Sequence, residues 1–411
     1  MTGNEPDGLV LGDRELPFAF PKDLPELRMY LQGALEIEHL TIPPYLTAMY
    51  TIRAGTNKDA YYTIRSVVLE EMLHMTLVAN LLNAVGGRPR VAHPDFVRRY
   101  PARLPYSALD VEIPLQHFSP AAMRAFLLIE RPQHFDNDPL QSGKGWTSIG
   151  QFYDFIRTGL LRLVEELGAD KVFCGRRERQ VGPEDFYNSG GEAFPVTDLT
   201  SALLALRVIT EQGEGLHDSI FDSDDQLFGE DRQVAHYFRF NEILTGRTYG
   251  PHDTPGAPPT GPSIDVCWED AYRIDPNASV ADYARYQDKA VYEHAVAFND
   301  AYAELLAHLE ITFNGRPRFM ILGVPAMLRL RDLAERLYHN PHPDPDKASR
   351  GYFASATFEI NHRQIECGHE IASARANTAS LKAGEPVDLS AVEPHQRAAA
   401  STDHVVSVSP R

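Results

Sequence analysis

The sequence predicts an all-α protein in which long helices form a four-helix bundle and further helices follow it. Apolar residues recur at three- and four-residue spacing through several long windows, the period of a helix that buries one face. Helix punctuation bounds those windows, with acids at starts and a Gly86-Gly87 pair at one stop. No internal repeat and no heptad run competes with that reading.

The elements follow in chain order. Residues 1–22 read as an irregular arm. A helix starts after Asp23, a good N-cap, and runs to about residue 53; a second covers about 59–85 and stops at Gly86-Gly87. Residues 88–118 are rich in proline and arginine and carry no period, so they form a long loop, in which "DVEIPLQHF" is extended. Shorter helices cover about 119–130 and 147–168. "PVTDLTSALLALRVITEQGEG" is a third long helix, capped by Thr197 or Asp198, and a fourth covers about 230–244. "YGPHDTPGAPPTGPS" is a linker or long loop. Two more helices are expected near 281–312 and 319–338. The division is a bundle with inserted loops and short helices over 1–250, a C-terminal helical extension packed on it over 251–370, and a flexible tail over 371–411.

The totals narrow the functions. Of 411 residues, 57 are acidic and 39 basic, giving a net charge of −18. That charge opposes nucleic acid and anionic membrane as partners. Cys174, Cys267 and Cys367 are far apart and lack C-x-x-C spacing, so neither a disulfide framework nor a thiolate zinc site is expected. "MTGNEPDGLV" has no apolar core of a signal peptide, and no apolar run is long enough to span a bilayer, so a cytoplasmic location is expected.

Charged residues on the apolar stripes carry the chemistry. Leu31, Leu35, Glu38 and Ile42 share one face of the first helix. In the second, Ile64, Val67, Glu71, His74, Val78, Leu81 and Val85 do so, which turns Glu71 and His74 inward together. In the third, Leu204, Val208, Glu211 and Gly215 share a stripe, with Glu214 one turn from Glu211; in the fourth, Gln233, His236, Phe240 and Ile243 do. Four uncompensated buried carboxylates would cost many kcal/mol. Two divalent cations would offset that. Bundle-core dimetal sites use a Glu from each of two helices and Glu-x-x-His from each of the other two. Glu38, Glu71, Glu211 and Glu214 with His74 and His236 give that inventory, although the fourth helix offers Gln233-x-x-His236 and the missing carboxylate sits at Glu214. Oxygen and nitrogen ligation favours iron, with manganese second.

Blander assignments exist for each residue alone. Glu71 could pair with Arg65, and a lone His236 would be an ordinary hydrogen-bonded core histidine. Glu36, Glu70 and Glu242 fall off or at the edge of the stripes, so they belong on the surface or around the ligands. His39 points about 100° from Glu38; together with Gln233 and Glu242 it is a candidate for supporting the ligands, with a surface position as the alternative. Pro43 and Pro44 cannot donate to the carbonyls of His39 and Leu40. A kink or bulge is expected there, either opening a pocket beside the metals or simply breaking the helix.

"LEIEHLTIPPYLTAMYTI", "EEMLHMTLVANLLNAVGG", "ITEQGEG" and "HYFRFNEIL" together resemble the ferritin-like family of iminophenyl-pyruvate dimer synthase, related to domains of the longer chromopyrrolate-type synthases. Weaker matches run through "FLLIERP", "SIGQFYDFI" and "LLAHLEITFNG", so the resemblance spans most of 23–360. It implies a ferritin-like bundle with a metal site mapping to Glu38, Glu71, His74, Glu211 and His236, with Glu214 carried over less directly. In the pathway enzymes, the reaction is oxidative coupling of two imines derived from an aromatic amino acid.

Three functions compete. The first is a dimetal, di-iron oxidoreductase of secondary metabolism that uses O₂ or peroxide on a small amino-acid-derived imine or similar substrate. The loop at 88–118 and the C-terminal helices would be its lid. The second is a non-catalytic metal-binding or storage protein, and the third a scaffold that has lost the metal. Helices beyond residue 264 favour the first, because storage does not need them. The expected partners are a small-molecule substrate and a partner enzyme of the same pathway.

Overall fold

The computed structural model describes residues 19–109, 111–135, 145–186, 193–216, 218–276, 278–286 and 289–383. Its regular elements are helices, and bridges between extended residues are isolated ones, such as Ala102 with Ile113 beside "DVEIPLQHF". Most of the expected arm and everything after residue 383 lie outside the described residues.

Helix α1 (Leu24–Thr51) begins where the Asp23 carboxylate accepts from the Glu26 N–H at 2.8 Å, with a proline in its first turn. Helix α2 (Lys58–Ala84) packs along it. Helices α3 (Pro120–Ile129), α4 (Ile149–Leu167) and α5 (Ala169–Val172) follow, then α6 (Leu199–Glu214), α7 (Asp224–Leu227) and α8 (His236–Thr245). Asp198 starts α6 with a reciprocal capping box to Ser201. A closed ring of packed neighbours runs α1, α2, α6, α4 and back to α1. The expected fourth wall, 230–244, yields only the ten-residue α8, and α4 takes that place in the ring. Helix α8 instead packs on α3, α2 and α6.

Beyond the bundle stand α9 (Val280–Tyr283), α10 (Ala290–Phe313), α11 (Met320–Tyr338), α12 (Pro345–Ser349) and α13 (His362–Ala383). This extension docks through α11 on α1 and through α10 on α2. The expected tail from residue 371 is corrected as far as 383: that stretch is the body of α13, packed along α10 with Ala372 and Ala376 buried. Its apolar surface is mostly alanine, too small to register as a stripe.

The two prolines do not break α1, which is continuous through Pro43 and Pro44. Ile42, Pro43, Pro44 and Tyr45 are all buried, so the expected pocket at this turn is not formed. The Leu40 carbonyl, which Pro44 cannot serve, accepts instead from the Tyr100 hydroxyl at 2.8 Å. No helix of the described residues is long and apolar enough to cross a membrane, and the three cysteines are unpaired.

Candidate metal centre

The register of α1 and α2 turns Glu38, Glu71 and His74 into one buried interior, each at most 3% exposed. Two further residues complete the cluster from shorter elements. Glu130 sits at the C-cap of α3, and His236 is the first residue of α8. Ligand atoms of Glu38, Glu71 and His74 lie mutually within 4.8 Å, and so do those of Glu71, Glu130 and His236. Glu71 belongs to both groups. Its Oε1 is 3.0 Å from His236 Nδ1 and its Oε2 is 3.8 Å from His74 Nδ1. The imidazole centroids are 5.4 Å apart.

Both imidazoles present the same nitrogen to the acids. His74 Nε2 lies 2.8 Å from Gln212 Oε1, an acceptor, so that nitrogen carries the proton and Nδ1 faces Glu38 at 3.2 Å. Gln212 is itself oriented by its amide, which donates to Asp224 at 2.6 Å. His236 Nε2 donates to Glu70 at 2.8 Å, leaving Nδ1 between Glu71 and Glu130 with no hydrogen-bond partner although fully buried. Arg239 holds the other Glu70 oxygen at 2.7 Å. Phenols fix the outer carboxylates, Tyr153 donating to Glu38 and Tyr45 to Glu130, while the Thr41 hydroxyl is 3.1 Å from Glu71.

The electrostatics describe a site short of positive charge. Burial pushes Glu38 up to about 7. Burial, then the neighbouring Glu71 charge, raise Glu130. Burial alone would lower His74, yet Glu38 and Glu71 outweigh it and lift that imidazole to about 10. His236 is likewise raised against its burial by Glu130, Glu70 and Glu71. Burial also opposes ionisation of Glu71, but the two imidazoles beside it, His236 and His74, keep it below the ordinary carboxylate range. Three carboxylates and two imidazole Nδ1 atoms, that of His236 buried without a hydrogen-bond partner, fit a pair of hard or borderline divalent ions.

Several sequence-predicted positions fall elsewhere. The buried face of α6 runs through Ala205, Val208, Ile209 and Gln212, one residue away from the predicted stripe. Glu211 is therefore turned outward, paired with Arg207 at 2.9 Å and bonded by the Ser223 hydroxyl. Glu214 is buried, but its oxygens accept from the Gly150 and Gln133 amides at 2.6 and 2.8 Å, and burial raises its carboxyl to about 7. Gln233 precedes α8, and its backbone carbonyl accepts from the Asp222 N–H, so the exchange expected between residues 214 and 233 has no geometric basis. His39 is buried against Phe96 and bonded to the Tyr302 hydroxyl at 2.5 Å, facing α10; burial lowers it to about 3. Glu242 accepts from the Tyr249 N–H at 2.7 Å, holding the chain after α8.

A ferritin-like family model matches residues 31–245, which contain every residue of the cluster. The chain belongs to the ferritin-like family. It is 25% identical over 332 residues to dichlorochromopyrrolate synthase of Lentzea aerocolonigenes, covering 73% of this chain and 30% of that protein. It is 34% identical over 160 residues to 2-imino-3-(indol-3-yl)propanoate dimerase of Chromobacterium violaceum, covering 37% and 15%. The chain thus spans less than a third of the length of either relative. The crystal structure of a ferritin-like protein from Caulobacter vibrioides superposes with a TM-score of 0.53 at 22% identity, over 77% of this chain and 96% of that one.

Within this ferritin-like bundle, sequence reasoning missed Glu130, Tyr45, Tyr153 and Gln212. A signal for Glu130 was present: Met123, Phe126 and Glu130 follow the same three-four spacing as the other stripes. A ten-residue helix is too short for one acid at its end to stand out. Glu70, set aside as off the stripe, is 2% exposed and links His236 to Arg239.

Proposed function

We propose that this protein is a dimetal oxidoreductase of secondary metabolism, with iron as the first choice and manganese the second, acting on a small amino-acid-derived imine or similar substrate by oxidative coupling. The carrying observation is the buried cluster in which His74 and His236 both donate through Nε2 and aim Nδ1 at the shared Glu71. The names of the two curated relatives, a synthase and a dimerase of an imino acid, support the substrate class.

In this reading Glu38, Glu71, Glu130, His74 and His236 hold the ions. When bound, the ions supply electron transfer and stabilise developing charge. The protein's part is fixed by its own contacts. Tyr153 and Tyr45 lock the carboxylates of Glu38 and Glu130, and Gln212 and Glu70 lock the imidazole rings. Burial of all five residues keeps bulk water from the centre.

Elemental analysis, joined to an electronic spectrum of the iron-loaded protein under oxygen, tests the metal. About two ions per chain are expected, as in other bundle-core carboxylate sites. Glu71→Ala should lose both positions, because both groups use it, and His74→Ala should lose one. Full occupancy in Glu71→Ala refutes the assignment. Oxygen consumption with candidate imino acids tests the reaction; normal loading with no consumption would leave a non-catalytic metal-binding protein.

A further inference from the structure

A second feature lies away from the buried cluster. Where α1 ends and α2 begins, a cleft of about 310 Å³ opens to solvent. Met49, the first α1 residue lining it, is eleven positions beyond Glu38, roughly 16 Å along a helix. Its walls carry four tyrosines, Tyr50, Tyr61, Tyr62 and Tyr272, with the cations of Arg53, Lys58 and Arg331.

The charges there are not balanced. Arg331 is paired with Glu335 at 3.0 Å. The Arg53 guanidinium lies 4.3 Å from the centre of the Tyr272 ring and meets no carboxylate among the described residues. The Lys58 ammonium has no acceptor among them either. Two uncompensated cations in one cleft stand out on a chain whose net charge is −18. Tyr62 beside them is 64% exposed, an aromatic face left to water.

The walls are also fixed in place before any ligand arrives. Ile52 and Ala271 form an antiparallel bridge, with Arg53 N–H donating to the Asp270 carbonyl at 2.9 Å and Tyr272 N–H to the Thr51 carbonyl at 2.8 Å. The Asn57 side chain clamps the Cys267 backbone through both its oxygen and its nitrogen, at 2.7 and 2.9 Å. Such preorganisation lowers the ordering cost of binding.

We propose that this cleft is a binding site for a planar aromatic carboxylate, its anion held by Arg53 and Lys58 and its ring lying among the tyrosines. Free cations alone would take any small anion. The rings add apolar area and stacking surface that only an aromatic ligand uses. The volume falls at the low end for small-molecule sites, which suits one or two fused rings.

Isothermal titration of the full chain with naphthalene-2-carboxylate tests the site, with naphthalene-2-carboxamide and acetate as comparators. The acid should bind saturably, and each comparator about tenfold or more weaker, since one lacks the charge and the other the ring. Lys58→Glu should weaken the acid by about tenfold or more. That residue is exposed and unpaired, so the fold is kept. Arg53→Gln should weaken it similarly. Chelator-treated and iron-loaded protein should bind it alike, which separates this site from the metal centre. No saturable binding, equal binding of acetate, unchanged affinity in Lys58→Glu, or loss of binding on chelation would each overturn the proposal.

Discussion

The neighbouring residues Glu211 and Gln212 give the sharpest test of which α6 side chain serves the centre. Gln212 is wholly buried and bonds in two directions, to His74 Nε2 at 2.8 Å and to Asp224 at 2.6 Å. Gln212→Leu keeps the volume roughly but leaves a ring N–H and a buried carboxylate without partners. An unsatisfied buried polar group costs about 1–3 kcal/mol, so the pair amounts to roughly 2–6 kcal/mol of local destabilisation. The loss falls on the orientation of His74, and removing a hydrogen bond that orients a ligating histidine typically weakens metal binding about 10–100-fold. Glu211→Gln, by contrast, weakens an exposed pair with Arg207, worth about 0–1 kcal/mol, and should leave loading unchanged. Equilibrium titration of chelator-treated protein with Fe²⁺ under anaerobic conditions reads both variants. If Glu211→Gln loses an ion while Gln212→Leu binds normally, the α6 register described above is wrong.

Three other outcomes follow from particular contacts. A Cβ added at Gly150 would lie 2.6 Å from Glu214 Oε2, so Gly150→Ala should push that carboxylate off two amides and cost about 1–3 kcal/mol, read by denaturant unfolding. Tyr100→Phe should cost about 1–3 kcal/mol by leaving the Leu40 carbonyl unserved, and hydrogen exchange should rise in α1 around residue 40; unchanged stability would show that carbonyl to be satisfied otherwise. Truncation after residue 361 removes α13 and takes Arg375 from the buried Glu304, so the melting temperature should fall clearly; an unchanged value would show α13 to be dispensable.

Legibility in the sequence followed length and period. Helices α1 and α2 have long apolar stripes, and their inward acids and His74 could be placed from spacing alone. Helix α6 failed by one residue because Leu204 and Val208 continue as well through Glu211 as Ala205 and Ile209 do through Gln212, and alanine carries too little hydrophobic weight to choose. The period reaches His236 but predicts too long a helix around it. Reading α8 back to residue 230 put Gln233 on a face, when the chain is irregular there and the helix starts at His236 itself. Glu130 lies on the period of α3, but that helix has only ten residues; Tyr153 reaches the cluster through the tertiary packing of α4, which no single-helix period reports.

The exchange of partners at Leu40 changes how α1 can be thought of. A helix interior is ordinarily closed by its own residues four positions on. Here the rung next to Glu38 is supplied by Tyr100, sixty residues later in the chain. The first helix is therefore incomplete as a local structure, and a peptide of residues 24–51 would carry an open gap beside its inward glutamate. The missing contact comes from the 88–118 loop. The cluster's first wall and that outer loop are thus joined at the backbone, so a change at Tyr100 reaches α1 beside Glu38 without touching a single ligand.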